Sequence, residues 1–154
     1  MAAAKAMQPR DPQFQARVTD SFARQTIMTT IGATLTHVAP GEVDIALPFR
    51  PDLCQQHGFL HAGVVTTIVD SACGFAALTL MVPGAGVLTI EFKSNFLAPA
   101  AGDMFIARGR VVRAGRQITV VSGEVVAQSP AGEKVVSLMQ ATMMAVTGTE
   151  GVKD

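Results

Sequence analysis

Residues 62–82 form one long apolar segment, AGVVTTIVDSACGFAALTLMV, in which Asp70 is the only charged side chain. Such a segment is long enough either to span a bilayer or to run as a helix through a protein core. A carboxylate at mid-membrane would cost about 2.5–3.5 kcal/mol, and the flanking segments alternate like the strands of a soluble domain. The sequence therefore predicts no membrane span. It predicts a buried helix over about residues 61–81. The Asp70 carboxylate in this helix must form an ion pair, accept hydrogen bonds or take part in the protein's chemistry.

The chain before this segment predicts a helix and a hairpin. Residues 12–29 space apolar side chains at helical intervals with polar residues between them, which indicates a short amphipathic helix. The segments 33–38 and 42–49 alternate with a period of two, and Pro40 and Gly41 lie between them, which predicts a β-hairpin. Residues 49–60 show no clean period and are expected to form a loop.

The second half of the chain predicts four strands, over 87–99, 103–115, 116–128 and 133–146. The breaks at 99–102, 114–115 and 129–132 each fit a hairpin turn, so we expect sequential antiparallel strands. A helix without a polar face needs a sheet that wraps it. The pattern thus predicts an α+β protein of hotdog architecture, a curved antiparallel sheet around a long helix. We expect one domain over 1–154, with a core at about 14–147 and short flexible tails.

Composition excludes several classes of partner. The chain has 12 Lys and Arg against 12 Asp and Glu, so no net field favours nucleic acid or an anionic membrane. Its two cysteines and three histidines do not form a metal-binding pattern, and no nucleotide-binding glycine motif is present. Reduced cysteines and a polar N-terminus without a signal-peptide core predict a cytoplasmic protein. We expect no metal.

Small side chains surround the lone acid on the helix. A helical wheel places Gly63, Thr66, Thr67, Cys73, Gly74 and Ala77 beside Asp70, and Val65, Ile68, Ala72 and Phe75 opposite. Such a face leaves room for a substrate or for a partner chain. The alternative is that Asp70 only accepts hydrogen bonds from neighbouring hydroxyls as part of the structure.

The segment QQHGFLHAG, residues 55–63, leads into the helix, which opens on the small residues Ala62 and Gly63. Free backbone N–H groups at a helix start, with the positive end of the helix dipole, suit a carbonyl oxygen that gains negative charge during acyl transfer. The sequence therefore predicts an oxyanion hole there.

Gln55, His61, Gly63 and Asp70 form a motif that resembles that of the phenylacetate-degradation (PaaI-like) branch of hotdog thioesterases. The segments TIEFKSNFLAPAAGD and RVVRAGRQITVVSGEV are also similar to that family, so the resemblance covers about residues 14–147. It implies that Asp70 attacks the thioester or activates water, and that the Ala62 N–H polarises the thioester carbonyl. The chain has His-Ala-Gly where the family usually has His-Gly-Gly. Gln55 resembles the glutamine that orients substrate or water in 4-hydroxybenzoyl-CoA thioesterases.

Three further predictions keep an alternative open. Thr89 aligns with a family Ser or Thr that positions water, but strict alternation puts it with Glu91 and Lys93 as an ordinary strand residue. His61 could orient the thioester or simply cap the helix. A cluster of arginines could bind coenzyme phosphates or be solvated strand ends; its members are Arg108, Arg110, Arg113 and Arg116.

The sequence thus predicts an acyl-CoA thioesterase for a small or medium acyl or aryl group. The predicted catalytic residues are Asp70, Gln55, His61, Ala62 and Thr89, and the predicted substrate contacts are Gly63, Cys73, Gly74, Arg113 and Arg116. Coenzyme A is part of the substrate, and no other cofactor is expected. His61 and Asp70 are nine residues apart, so on one helix they lie about 13 Å apart along the axis and on opposite sides, and they cannot serve one substrate from the same chain. If both are used, we expect a two-fold dimer with two shared sites. The resemblance agrees with a homodimer or a dimer of dimers. The competing hypotheses are a hotdog enoyl-thioester hydratase or dehydratase, which needs a His–acid pair, and a non-catalytic acyl-CoA sensor.

Overall fold

The computed structural model describes residues 7–154 and confirms the predicted class, an antiparallel sheet curved around a central helix. The helices are α1 (Phe14–Arg24), α2 (Thr26–Ile31) and α3 (Ala62–Leu78). The strands are β1 (Thr34–Ala39), β2 (Glu42–Pro48), β3 (Gly86–Phe96), β4 (Met104–Ala114), β5 (Ile118–Ser129) and β6 (Gly132–Val146). A short 3-10 turn, Pro51–Leu53, lies in the predicted loop before α3.

The strand order is β1-β2-β4-β5-β6-β3, so the prediction of four sequential hairpin strands is wrong for β3. β3 pairs with β6, and β4 pairs with β2. The physical reason is the long helix between β2 and β3, which carries the chain across the concave face to the far edge of the sheet. Residues 97–103 then return to the middle of the sheet instead of closing a hairpin. The other two predicted turns do connect paired strands.

Both predicted helical segments differ from the structure at their ends. The amphipathic helix of residues 12–29 is two helices, because the chain turns at Gln25 (ψ 87°) between α1 and α2. α3 ends at Leu78. The Arg17 guanidinium donates hydrogen bonds to carbonyl oxygens at this end and in the turn after it, those of Leu78, Met81 and Val82. Among residues 7–154, no helix is both long and apolar enough to cross a membrane.

The core lies between α3 and the concave face of the sheet, and two glycines set its spacing. A Cβ on Gly109 of β4 would overlap the Ala72 carbonyl, and a Cβ on Gly123 of β5 would lie 2.7 Å from the Cys73 sulfur. Ala72 and Cys73 are themselves completely buried. The helix backbone therefore packs directly on the sheet, which fixes its position relative to the strands.

The predicted flexible C-terminal tail is instead packed against the domain. After β6 the chain turns back, and the Asp154 carboxylate accepts hydrogen bonds from the Ser21 hydroxyl at 2.5 Å and the Val87 N–H at 3.2 Å. We call residues 147–154 the return segment. The N-terminal tail was predicted over residues that include 1–6, which lie outside the described part of the chain.

The glycine contact gives a first prediction. Gly109→Ala should lower the free energy of unfolding by about 1–3 kcal/mol, because the new methyl group pushes α3 away from β4. Gly74→Ala is the matched control: it also adds one methyl group in a buried position, but nothing lies within 4 Å of its Cβ site. Alanine in a helix interior should raise stability by about 0.5–1 kcal/mol. Urea unfolding measures the change in the free energy of unfolding for both variants. Equal changes in the two variants would contradict the direct contact of α3 with β4.

Candidate active site

Asp70 meets Thr89 at the edge of the sheet. The Thr89 hydroxyl donates a hydrogen bond of 2.9 Å to Asp70 Oδ1, which joins α3 to β3. The same hydroxyl lies 3.2 Å from the sulfur of Met143, a completely buried residue of β6. Thr89 therefore faces the helix, and the structure brings together these two predicted site residues.

A β-bulge explains why strict alternation fails for Thr89. The pairing of β3 with β6 shifts between Thr89 and Glu91, so Ile90 is an extra residue with no partner of its own. Thr89 pairs with the inward-facing Met143, and Glu91 pairs with Thr142 and accepts its hydroxyl hydrogen bond. The expectation that Thr89 shares a face with Glu91 and Lys93 is thus wrong. A bulge has no reliable signal in a single sequence.

Burial raises the pKa of the Asp70 carboxyl above its usual value, and the hydrogen bond from Thr89 partly offsets that rise. Among residues 7–154 the carboxylate has no ion-pair partner. A carboxylate that is desolvated but not neutralised by a cation retains its basicity. This environment suits a group that accepts a proton or attacks a carbonyl carbon.

The start of α3 presents one free backbone donor. His61 is the N-cap residue, and its Nδ1 accepts a 2.8 Å hydrogen bond from the Gly63 N–H. The N–H groups of Val64 and Val65 both point to the His61 carbonyl. Within the described chain the Ala62 N–H has no acceptor, so it is the first-turn donor left for a ligand. His61 thus caps the helix, as one of its two predicted roles requires, and Gly63 serves that cap.

Gln55 and Ala62 line the same cleft, which has a volume of about 500 Å³. The other walls are mostly apolar, from Phe59, Leu60, Val65, Phe96, Leu97, Ala98, Pro99, Ala100 and Val136. Gln55 Oε1 accepts a hydrogen bond from the His57 N–H, which fixes the side chain. Its Nε2 has no partner among residues 7–154 and is free to donate.

The two halves of the predicted site are separate within one chain. Asp70 and Thr89 line a cavity of about 80 Å³ with Gln25, Ser71, Gly74, Phe75 and Val87, and this cavity shares no residue with the cleft at Gln55. Ala62 and Asp70 are eight positions apart on α3, or about 12 Å along its axis. They also lie beside opposite ends of β3, since Thr89 is near its start and Phe96 is its last residue.

The predicted substrate contacts on α3 divide into two groups. Cys73 is completely buried against Gly123, so its prediction as a substrate contact is wrong. Burial, and to a lesser extent the nearby charge of Asp70, raises the pKa of the Cys73 thiol to about 12. Ala77 is also fully buried. Gly74 lines the Asp70 cavity, and the space beside its Cα is open.

Four other residues that line this cavity were not predicted from the sequence: Gln25, Ser71, Phe75 and Val87. The helical wheel placed Phe75 opposite Asp70, and nothing in the local pattern marks Gln25.

Two of the four arginines in the predicted cluster are neutralised by ion pairs. Arg108 pairs with Glu124 and Glu133, and Arg110 pairs with Asp44 and Glu42. Arg113 and Arg116 are exposed and have no ion pair within residues 7–154. Arg116 lines a separate cavity of about 260 Å³ beyond the end of α3. Of the four predicted phosphate ligands, two remain available.

The raised pKa of Asp70 predicts how stability depends on pH. The folded chain keeps this proton at pH values where the unfolded chain has lost it, so the charged carboxylate destabilises the fold at neutral pH. The penalty disappears as the pH falls below the unfolded value, near 3.8. Asp70→Asn should therefore raise Tm at pH 7, and the gain should vanish toward pH 4. Calorimetry across this range measures the gain, and a lower Tm for Asp70→Asn at pH 7 would contradict the prediction.

Comparison with known proteins gives consistent matches. Residues 57–133 match the Thioesterase superfamily. A candidate esterase of Saccharolobus solfataricus is 33% identical over 104 residues, which cover 68% of this chain and 69% of the relative. A candidate esterase of Halobacterium salinarum is 30% identical over 105 residues, which cover 65% of this chain and 69% of the relative.

Two solved structures are also similar. A thioesterase family protein from Silicibacter pomeroyi is 48% identical with a TM-score of 0.86, and the match covers 88% of this chain and 99% of that protein. The PaaI protein of E. coli, from the phenylacetic acid degradation operon, is 20% identical with a TM-score of 0.79 over 89% of this chain and 96% of its own, a likeness of fold. The chain thus belongs to the Thioesterase superfamily, as a thioester hydrolase of hotdog fold.

Proposed function

We propose that the chain hydrolyses acyl-CoA thioesters with small or medium acyl or aryl groups, with Asp70 as general base or nucleophile. The observation that carries this proposal is the Asp70 carboxylate, which is desolvated, oriented by Thr89 and unpaired with any cation among residues 7–154. A purely structural acid in such a position would be expected to have a cation or several donors. Within the described residues Asp70 has one donor, the Thr89 hydroxyl.

The cleft at the start of α3 supplies the second half of the chemistry. The free Ala62 N–H, at the positive end of the helix dipole, stabilises the oxygen of the thioester carbonyl as it gains charge. The free Nε2 of Gln55 lies on the same cleft and orients the carbonyl or the attacking water. His61 acts as a positioning residue, because its cap on Gly63 holds the first turn in place.

Two copies of the chain can join these halves. β3 is an edge strand whose apolar side chains Leu88, Ile90, Phe92 and Phe96 are each between 45% and 51% exposed. Such an edge favours pairing with another strand. Antiparallel pairing of β3 with β3 of a second copy sets the start of one strand beside the end of the other. Asp70 of one copy then faces Ala62 and Gln55 of the second, and a two-fold dimer holds two shared sites.

The reaction then has a simple course. Asp70 takes a proton from water as the water oxygen bonds to the thioester carbon, and the Ala62 N–H of the other copy binds the resulting oxyanion. When the carbon–sulfur bond breaks, the proton passes to the sulfur and leaves a free acid and the coenzyme A thiol. In the nucleophilic alternative Asp70 itself bonds to the carbon, and water hydrolyses the acyl anhydride. Both routes use the same geometry.

The remaining features fit this proposal. Arg113 and Arg116 are free to bind coenzyme phosphates, since guanidinium groups match phosphate oxygens. In the paired arrangement their end of the sheet lies on the same side as the second copy's Ala62 cleft. The reaction needs no cofactor beyond the coenzyme in the substrate, and we propose that it takes place in the cytoplasm. A hydratase would need His61 beside an acid, but its Nδ1 is occupied by the helix cap.

Two substitutions test the two halves of the machinery. Asp70→Asn should lower kcat for acyl-CoA hydrolysis by about 10²–10⁴-fold, because it removes the base or nucleophile. Ala62→Pro removes only the proposed oxyanion donor and should lower kcat by about 10²–10³-fold. Proline suits the first helical position, and His61 already has the extended conformation (ψ 137°) that proline favours before it.

A thiol-reactive dye measures the release of coenzyme A, and circular dichroism confirms that both variants fold. The control variant is Lys134→Ala, which alters an exposed side chain and should keep the wild-type rate of hydrolysis. Wild-type turnover in a folded Asp70→Asn protein would exclude the proposed mechanism and favour a sensor that only binds its ligand.

The shared site predicts complementation between inactive copies. In a mixed dimer of Asp70→Asn and Ala62→Pro chains, one site carries both lesions and the other combines an unaltered Asp70 with an unaltered Ala62. Activity should therefore return to about half the wild-type value per mixed dimer. Mass spectrometry of the mixture establishes that subunits exchange. If mixed dimers form and remain inactive, the complete site lies within one chain.

A further inference from the structure

The small cavity beside Asp70 adjoins a larger one. A second cavity of about 360 Å³ shares Gln25, Phe75 and Val87 with the Asp70 cavity. Beyond these three residues it is lined by Ser21, Arg24, Leu88 and residues 151–154. We call the combined space the acyl groove. It begins at the Asp70 carboxylate and ends at the return segment.

Gly74 keeps the near end of the groove open. It lies one helical turn after Asp70 and on the same face, and it is buried. Yet a Cβ at Gly74 would have no neighbour within 4 Å, so the space beside it is empty in a single chain. In a tightly packed protein, an open space next to a reactive carboxylate has room for a substrate group.

The return segment is held in place at the far end of the groove. The Asp154 carboxylate accepts hydrogen bonds from the Ser21 hydroxyl and the Val87 N–H, and it lies 3.6 Å from the Arg24 guanidinium. Gly86 lets Val152 pack directly against β3, because a Cβ at position 86 would lie 2.9 Å from the Val152 side chain and 3.0 Å from its backbone. Residues from α1, β3 and the return segment thus line the far end of the groove.

We propose that the return segment is the specificity-determining end wall of the acyl groove, and that it limits the length of the acyl group that Asp70 can hydrolyse. This inference rests on the proposed function. An acyl group whose carbonyl carbon lies at Asp70 extends past Gly74 along the apolar faces of Phe75 and Val87. Its end then meets Val152 and the polar cluster around Asp154. Longer chains would have to displace that cluster, whose hydrogen bonds they could not replace.

The test compares kcat/KM for a series of straight-chain thioesters from acetyl-CoA to dodecanoyl-CoA. Three variants open the far end: deletion of residues 151–154, Asp154→Ala, which removes its anchor, and Gly86→Ala, which displaces Val152. Each should raise the ratio of kcat/KM for dodecanoyl-CoA to that for butanoyl-CoA by at least about 10-fold. Gly74→Ala fills the near end and should have the opposite effect, lowering the ratio for hexanoyl-CoA over acetyl-CoA by about 10-fold.

Glu150→Ala is the matched control, because this exposed side chain of the return segment lines no described cavity of the groove. It should leave every ratio within about twofold of wild type. Thermal unfolding shows which variants fold. If the variant without residues 151–154 does not fold, the length preference of Asp154→Ala tests the end wall instead.

The outcomes separate the two proposals. If the wild-type chain hydrolyses neither this series nor an aryl-CoA thioester such as benzoyl-CoA, the proposed function is wrong. If it hydrolyses only the aryl thioester, the groove does not take straight chains and the end-wall proposal is wrong. If the wild-type chain is active but the opened variants keep its length preference, the return segment is not the end wall, although the thioesterase proposal stands.

Discussion

The direct contact of α3 with the sheet at Gly109 and Gly123 is the constraint on which the rest of the structure depends. Because neither glycine has a side chain, the backbone at Ala72 and Cys73 lies against the strands with no intervening layer. This contact fixes the depth and rotation of the helix. Asp70, just before the contact, therefore emerges at the rim of the sheet, where Thr89 can reach it with a 2.9 Å hydrogen bond. A wider spacing would leave the carboxylate without its donor.

The bulge in β3 is the second local device that the site requires. A regular strand would turn Thr89 away from α3 and leave Asp70 buried with no hydrogen bond at all. With Ile90 as the extra residue, the strand presents Thr89 inward and still pairs with β6 both before and after the bulge. The result is a balance in the pKa of Asp70: burial raises it, and a single hydroxyl restrains the rise. A cation in the place of Thr89 would lower the pKa and weaken the base.

The sequence predicts those features that depend on composition and period. The apolar segment around Asp70 identifies α3, and alternation identifies all six strands. Strand order is not encoded in alternation, so the place of β3 at the far edge was missed. The same limit hides the bulge at Ile90 and the anchoring of Asp154 by Ser21 and Val87, which join residues far apart in the chain. The face occupied by Cys73 was wrong because a helical wheel does not show which strand glycines make room for a side chain.

The separation of Asp70 from the Ala62 donor gives the edge strand its importance. Within one chain the acid and the donor open into different cavities at opposite ends of β3. On the proposed dimer, catalysis therefore depends on the same exposed apolar side chains that drive association. A dissociated copy would keep its fold, because α3 and the sheet bury the core without help, but it would lack a complete site. The activity would then vary with protein concentration near the dimer dissociation constant.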